Sequence, residues 1–184
     1  MVFLRLDLFF LWRSVVFIRR NVLVFLVFVM SVVVSVSGAC AASLDSGVTS
    51  DTVMDEYLLP AVNCQSNDSG VVALAGMICS GAGAGTAYDR AVAMFRWVDG
   101  NVSYSDYPDT RYGAVGVLKS RTGNCVDTTH LLIALMRSEG IPARYVHGYC
   151  QFSNGNWEGH VWAEVYVNGT WYSCDATSSR NSFG

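Results

Sequence analysis

TGNCVDTTHLLIAL, residues 122–135, decides how this chain is read. An apolar helix begins here, and Cys125 stands at its head, directly after Gly123 and Asn124. A cysteine that only fills a core sits more naturally among the leucines, mid-helix. At a helix N-terminus a thiol meets unpaired backbone N–H groups and the positive end of the helix dipole. Both favour thiolate over thiol. Asn124 is placed to cap the helix, and Asp127 follows in its first turn, so both read as supports of the helix start. Leu131, Leu132, Leu135 and Met136 continue the apolar stripe, and Gly140 with Pro142 ends it.

Downstream lie three strand candidates, 143–150, 160–167 and 170–177. Asn168-Gly169 joins the last two, a strong hairpin signal that also sets their register. Val167 then opposes Thr170, His160 opposes Thr177 and Trp162 opposes Asp175. Asp175 becomes the diagonal neighbour of His160 on one face, about 7–8 Å away and within side-chain reach. The other face carries Val161, Ala163, Val165, Tyr172, Cys174 and Ala176, an apolar set that makes Cys174 structural.

A thiol at a helix head, an imidazole and a carboxylate form the nucleophile, base and orienter of acyl transfer. Cys125, His160 and Asp175 are the candidates, and the N–H of Cys125 is a natural oxyanion donor. His130 lies five residues along the same helix and points elsewhere. His147, inside a strand, reads as a core histidine or an alternative base. His160 follows the Gly-bearing loop 153–159 and is expected at a rim. Glu164 shares its face and reads as an outer support or a surface group.

Upstream, residues 68–80 read as a helix capped by Asn67 or Asp68. GAGAG, 81–85, is a break that lacks the Lys and Ser/Thr of a phosphate loop. Residues 87–99 place Tyr88, Val92, Phe95 and Val98 at helical spacing. Residues 104–116 have no clear period and read as a long ordered loop.

The first 41 residues form a leader, with Arg5, Arg13, Arg19 and Arg20 ahead of the apolar run VLVFLVFVMSVVVSV, 22–36. Ala39, Cys40 and Ala41 supply a small-residue cleavage pattern. The leader is either a removed signal peptide or a signal anchor that spans the membrane through residues 22–39. Both place the following domain outside. Residues 42–66 read as a linker and lead-in, and 67–184 as the catalytic domain. Without residues 1–41 the chain loses four arginines and Asp7, which leaves eight basic and fourteen acidic groups and a formal net of −6. One of the eight is a lysine, Lys119. Such a surface speaks against nucleic acid as a partner.

An exported chain with six cysteines suggests disulfides. The easy pair, Cys64 with Cys79, flanks a helix whose ends are about 15–20 Å apart, so it needs a fold-back of Cys64. No C-x-x-C metal spacing occurs, and neither a metal site nor a cofactor is indicated. Asn67, Asn101 and Asn168 each begin an N-x-[ST] acceptor.

VLKSRTGNCVDTTHLLIALMRSEGIPARYV followed by GHVWAEVYVNGTWYSCDAT resembles the core of the transglutaminase-like superfamily. The shared pattern is Gly-x-Cys at a helix start, Gly-Ile-Pro-Ala-Arg after the helix, a His-x-Trp strand and an Asp-bearing strand. MFRWVDGNVSYSDY is similar to the helix before that core, so the resemblance runs from Val71 to Thr177. GNCVDTTHLL, ARYVHG and DATSSRNSFG are most similar to a group from methanogens and archaeal viruses that includes the pseudomurein endoisopeptidases. The resemblance implies a papain-like α+β fold, with helices packed on an antiparallel sheet and the nucleophile at a helix N-terminus. It also implies Cys125 as nucleophile, His160 as base and then acid, Asp175 as orienter, and a pseudomurein-like cell-wall peptide as substrate. Transglutaminase-type transfer to an amine and a non-catalytic wall-binding module stay open as alternatives. The chain ends nine residues after Asp175, where relatives continue with further strands, so a shortened C-terminal end is expected.

Overall fold

Residues 127–136 of the helix that starts at Cys125 are all buried, which makes it the axis of the fold. The computed structural model describes residues 54–178 and 180–184. The leader, Cys40 and the first part of the linker lie outside them. Among the described residues no helix is long and apolar enough to cross a membrane.

Among the described residues, four α-helices, a three-stranded sheet and a short two-stranded pair make up the fold. Helix α1 (Ser69–Gly81) starts at Asp68, whose carboxylate accepts from the N–H groups of Gly70 and Val71 at 2.8 and 3.2 Å. Helix α2 (Ala87–Asn101) starts with a reciprocal capping box between Thr86 and Asp89. A two-residue strand β1 (Ser103–Tyr104) pairs in parallel with β2 (Thr122–Gly123). Between them lies α3 (Gly113–Ser120). Helix α4 (Cys125–Ser138) follows, then β3 (Ala143–Gln151), β4 (Trp157–Val167) and β5 (Thr170–Cys174), antiparallel in sequential order. Helices α1, α2 and α3 and the sheet all pack against α4. A helix buried on every side over these residues requires such an enclosure. The arrangement is α+β, helices on an antiparallel sheet.

The hairpin register is the one read from Asn168-Gly169: Val167 pairs with Thr170 and Ala163 with Cys174. Both turn residues have positive φ, 52° and 83°, the backbone that a two-residue turn matched to strand twist requires. Val161, Ala163, Val165, Cys174 and Ala176 are buried in the core as expected.

Other expectations need correction. The span 104–116 is not one loop, since α3 begins at Gly113. In α2 the buried face is Ala91, Met94, Phe95 and Val98, while Val92 is half-buried and Tyr88 is exposed. Tyr88 turns aside to meet Tyr172 and Phe183 edge-on, at 5.5 and 5.4 Å between ring centres. Phe183 bridges to Cys174 and covers the outer edge of β5. Strand β5 stops at Cys174, so Asp175 lies just beyond the ladder. The five described cysteines are all free thiols.

Asp127 explains why α3 exists. Its sequence, GAVGVLKS, has two glycines and no capping side chain of its own. The carboxylate of Asp127, fully buried on α4, accepts from the N–H groups of Arg111, Tyr112 and Gly113 at 2.9, 3.0 and 2.8 Å. It also accepts from the Tyr107 hydroxyl at 2.6 Å. One helix thus caps the start of another. Burial alone would raise the pKa of this carboxyl, but the four hydrogen bonds outweigh it and hold the group below the usual carboxylate range. Its stabilising effect is therefore present above about pH 4, the unfolded value, and is lost as pH falls through the lower folded value.

Asp127→Asn should destabilise the fold at pH 7 by about 3 kcal/mol or more, because buried N–H donors lose a charged acceptor. Urea unfolding checks this, and the gap to wild type should narrow steadily below about pH 4.

Candidate active site

The start of α4 is fixed from both sides. The Asn124 side chain accepts from the Asp127 N–H at 2.9 Å, the capping contact expected of it. Its amide donates to the carbonyls of Tyr107 and Asp109 at 2.9 and 2.7 Å. The Asn124 N–H donates to the Tyr107 hydroxyl at 3.0 Å. With both amide protons engaged, Asn124 holds the chain in place and has none left for a substrate oxygen. Gly123 must be small, since a Cβ there would lie 2.9 Å from the Thr128 hydroxyl and 3.1 Å from the Thr128 nitrogen. One turn into the helix, the Thr129 hydroxyl donates to the Val161 carbonyl at 3.3 Å. That contact ties the Cys125 face of α4 to β4 beside His160.

His160 lies within β4 and is 8% exposed, enclosed more than a rim residue. Its Nε2 donates to Asp175 Oδ2 at 2.8 Å, which leaves Nδ1 for the thiol. The Asp175 Oδ1 accepts from the Thr177 hydroxyl at 2.6 Å and from the Thr177 N–H at 3.1 Å. The diagonal contact expected from the hairpin register is thus present, made just past the strand end. Trp162, on the same face of β4, stacks under the imidazole at 5.9 Å and 23°. Phe152 meets it edge-on at 5.5 Å. Gly148 pairs with His160 across the sheet, and a Cβ at Gly148 would lie 2.6 Å from the Trp162 ring. The glycine makes room for the indole that seats the histidine.

The electrostatics follow from these contacts. Burial pushes the Cys125 thiol up, but hydrogen bonds from His160 and the Val161 backbone, the charge of His160 and the Val126 N–H outweigh it. The net effect is a thiol held below its ordinary value. His160 is pushed up to about 10, first by its hydrogen bond to Asp175 and next by that to Cys125. For Asp175, burial is outweighed by hydrogen bonds from His160 and Thr177, which lowers it. The contacts thus shift the pair towards thiolate and imidazolium.

The remaining candidates are placed elsewhere. His130 is buried on α4, where Nδ1 meets the Tyr145 hydroxyl at 2.7 Å and Nε2 the Thr110 hydroxyl at 3.0 Å. His147 is exposed and pairs with Val161, on the face opposite His160, so it is neither a core histidine nor beside the thiol. Glu164 accepts from Arg144 Nε and Nη2 at 2.9 and 2.7 Å, and that guanidinium lies 4.1 Å over the Trp171 ring. Among the described residues no group of three or more His, Cys, Asp or Glu could hold a metal ion. Cys125, His160 and Asp175 line one open groove of about 760 Å³, walled by Tyr104, Asp106, Phe152, Glu158 and Arg180 among others. Sequence reading does not single out Tyr107 or Gly148, and it names Trp162 and Thr177 for register and motif alone, without a role beside His160 and Asp175. For Thr177 the Asp-x-Thr pair, which favours a side-chain turn, is a readable signal.

Known proteins resemble this chain in sequence and fold. Residues 74–176 match the model of the transglutaminase-like superfamily. The uncharacterized protein ML0607 of Mycobacterium leprae is 31% identical over 97 residues, which cover 47% of this chain and 34% of that protein. A candidate cysteine protease from Cytophaga hutchinsonii superposes with a TM-score of 0.58 at 29% identity, over 74% of this chain and 45% of the other. The periplasmic domain of TgpA from Pseudomonas aeruginosa superposes with a TM-score of 0.53 at 21% identity, over 70% of this chain and 48% of that one. The chain thus spans about a third of that relative and about half of the solved structures.

The rate at which iodoacetamide alkylates Cys125, followed by peptide mass spectrometry across pH, should inflect below the ordinary thiol value of about 8.5. In His160→Ala the hydrogen bond and charge of the imidazole are gone, while burial and the Val161 and Val126 backbone contacts remain, so the inflection should move up from its wild-type position.

Proposed function

Because the chain belongs to the transglutaminase-like superfamily, we propose that it is an exported cysteine peptidase or amidase that cuts an isopeptide bond in a pseudomurein-like wall peptide. The observation that carries the reading is the single groove in which a lowered thiol, a raised imidazole and a hydrogen-bonded carboxylate meet. The wall substrate rests on the wording of GNCVDTTHLL, ARYVHG and DATSSRNSFG. Export rests on the leader.

The Cys125 thiolate attacks the amide carbonyl, and the carbonyl π pair moves onto oxygen. The Cys125 N–H, at the head of α4, is the natural donor to that oxyanion. Collapse of the adduct breaks the C–N bond as the His160 imidazolium gives its proton to the departing nitrogen. A thioester joins the acyl group to Cys125. Neutral His160 then takes a proton from water as the water oxygen attacks the thioester, and the C–S bond breaks, which releases a carboxylic acid and restores the Cys125 thiolate and the His160 imidazolium. Asp175 keeps Nε2 protonated and the ring oriented throughout, and Trp162 and Phe152 hold the ring plane.

The test incubates the chain lacking residues 1–41 with pseudomurein sacculi in reducing buffer, beside Cys125→Ala. Released peptides with new lysine-side amines are expected from the first alone, with a loss of at least about 10³-fold in the variant. Equal release from both would contradict the nucleophile. Release of ligated rather than hydrolysed products on adding a primary amine would shift the reading to acyl transfer. No release by a folded chain would contradict the wall substrate.

A further inference from the structure

The charges in the groove are sorted by sign. Asp106 and Glu158 line it together with Tyr104 and Cys125. Burial, then the negative charges of Cys125, Asp106 and Glu158, raises the Tyr104 phenol, which places all four groups within one field. Arg180 lines the same groove beside Asp175, Thr177 and Ser178. It also lines an adjoining recess of about 390 Å³, with His160, Trp162 and Asp175 as further walls. Tyr104, Asp106, Cys125 and Glu158 take no part in that recess. The arginine therefore groups with the imidazole, and the two acids group with Tyr104 and the sulfur.

Among the described residues none of these three charges forms an ion pair. Among the described residues the ion pairs are Arg90 with Glu139, Arg144 with Glu164 and His160 with Asp175. Asp106, Glu158 and Arg180 are all exposed. The Asp175 carboxylate, close to Arg180 in the groove wall, is committed to His160 and Thr177.

Chemistry assigns the two sides. His160 delivers its proton to the departing nitrogen, so the leaving amine must lie on the imidazole side. The acyl portion then runs past Cys125 towards Tyr104. Accepting the nucleophile reading above, we propose that the groove selects its substrate by charge polarity. The acyl portion carries an ammonium that meets Asp106 and Glu158, and the leaving amine carries a carboxylate that meets Arg180. The guanidinium fork suits a carboxylate, because two parallel N–H donors match its two oxygens. A peptide of the opposite polarity brings like charges together at both ends.

Two blocked tetrapeptides of identical composition and net charge test this. Acetyl-Lys-Ala-Ala-Glu-amide has the proposed polarity about its central amide, and acetyl-Glu-Ala-Ala-Lys-amide reverses it. Each is titrated against alkylation of Cys125 by iodoacetamide at low salt, with the Cys125 peptide read by mass spectrometry. The first should protect at a concentration at least about threefold lower than the second, and the gap should shrink at high salt. Arg180→Glu, an exposed change that should leave the melting temperature in place, should remove or invert the preference. Equal protection by both peptides, protection by neither, or a preference unmoved in Arg180→Glu would overturn the proposal. The alkylation rate without peptide is a separate reading. A slow rate there contradicts Cys125 as nucleophile, whereas the ratio between peptides judges the charge polarity.

Discussion

A buried carboxylate with four donors, Asp127, sets the geometry on which the rest depends. It sits in the first turn of α4 and holds the backbone of residues 111–113 and the hydroxyl of Tyr107. Tyr107 in turn takes the N–H of Asn124, and Asn124 caps α4. The position of Cys125 is thus over-determined by contacts that never touch the groove. A charge buried without such partners would be strongly destabilising. Satisfied in this way, it fixes where one helix ends its approach and the next begins.

The second constraint is the depth of His160. At a solvent-exposed site an imidazole and a carboxylate gain little from each other. Here the ring is 8% exposed, stacked on Trp162 and edged by Phe152, so its hydrogen bond to Asp175 acts in a drier setting. The glycine at position 148 permits that stacking by leaving space under the indole. Packing and electrostatics are therefore not separate contributions: the room made by one residue governs the ionisation of another.

Much of this was legible in the sequence, and the reasons are physical. Helix α4 showed itself by a cap, an apolar run and a stop at Gly140 and Pro142 within nineteen residues, all local signals. The hairpin showed itself by Asn168-Gly169, and a period of two then carried the register as far as His160 and Asp175. Helix α3 did not, because its two glycines speak against a helix and its cap comes from Asp127, fourteen residues after Gly113. The misplaced part of the α2 stripe, Tyr88 and Val92 in place of Ala91 and Met94, has a similar origin. Tyr88 is drawn out by Phe183, nearly a hundred residues away, and no local period records that. The depth of His160 was missed because it depends on Gly148 in a neighbouring strand.

The most direct test of the central claim is the mass of the acyl-enzyme. The chain is mixed with a wall-type peptide substrate, quenched in acid within the first turnover and digested for mass spectrometry. A thioester adduct of the substrate's acyl portion on the Cys125 peptide, lost on treatment with hydroxylamine and absent from Cys125→Ala, is the predicted result. Turnover with no adduct on Cys125, undiminished in Cys125→Ala, would contradict the account.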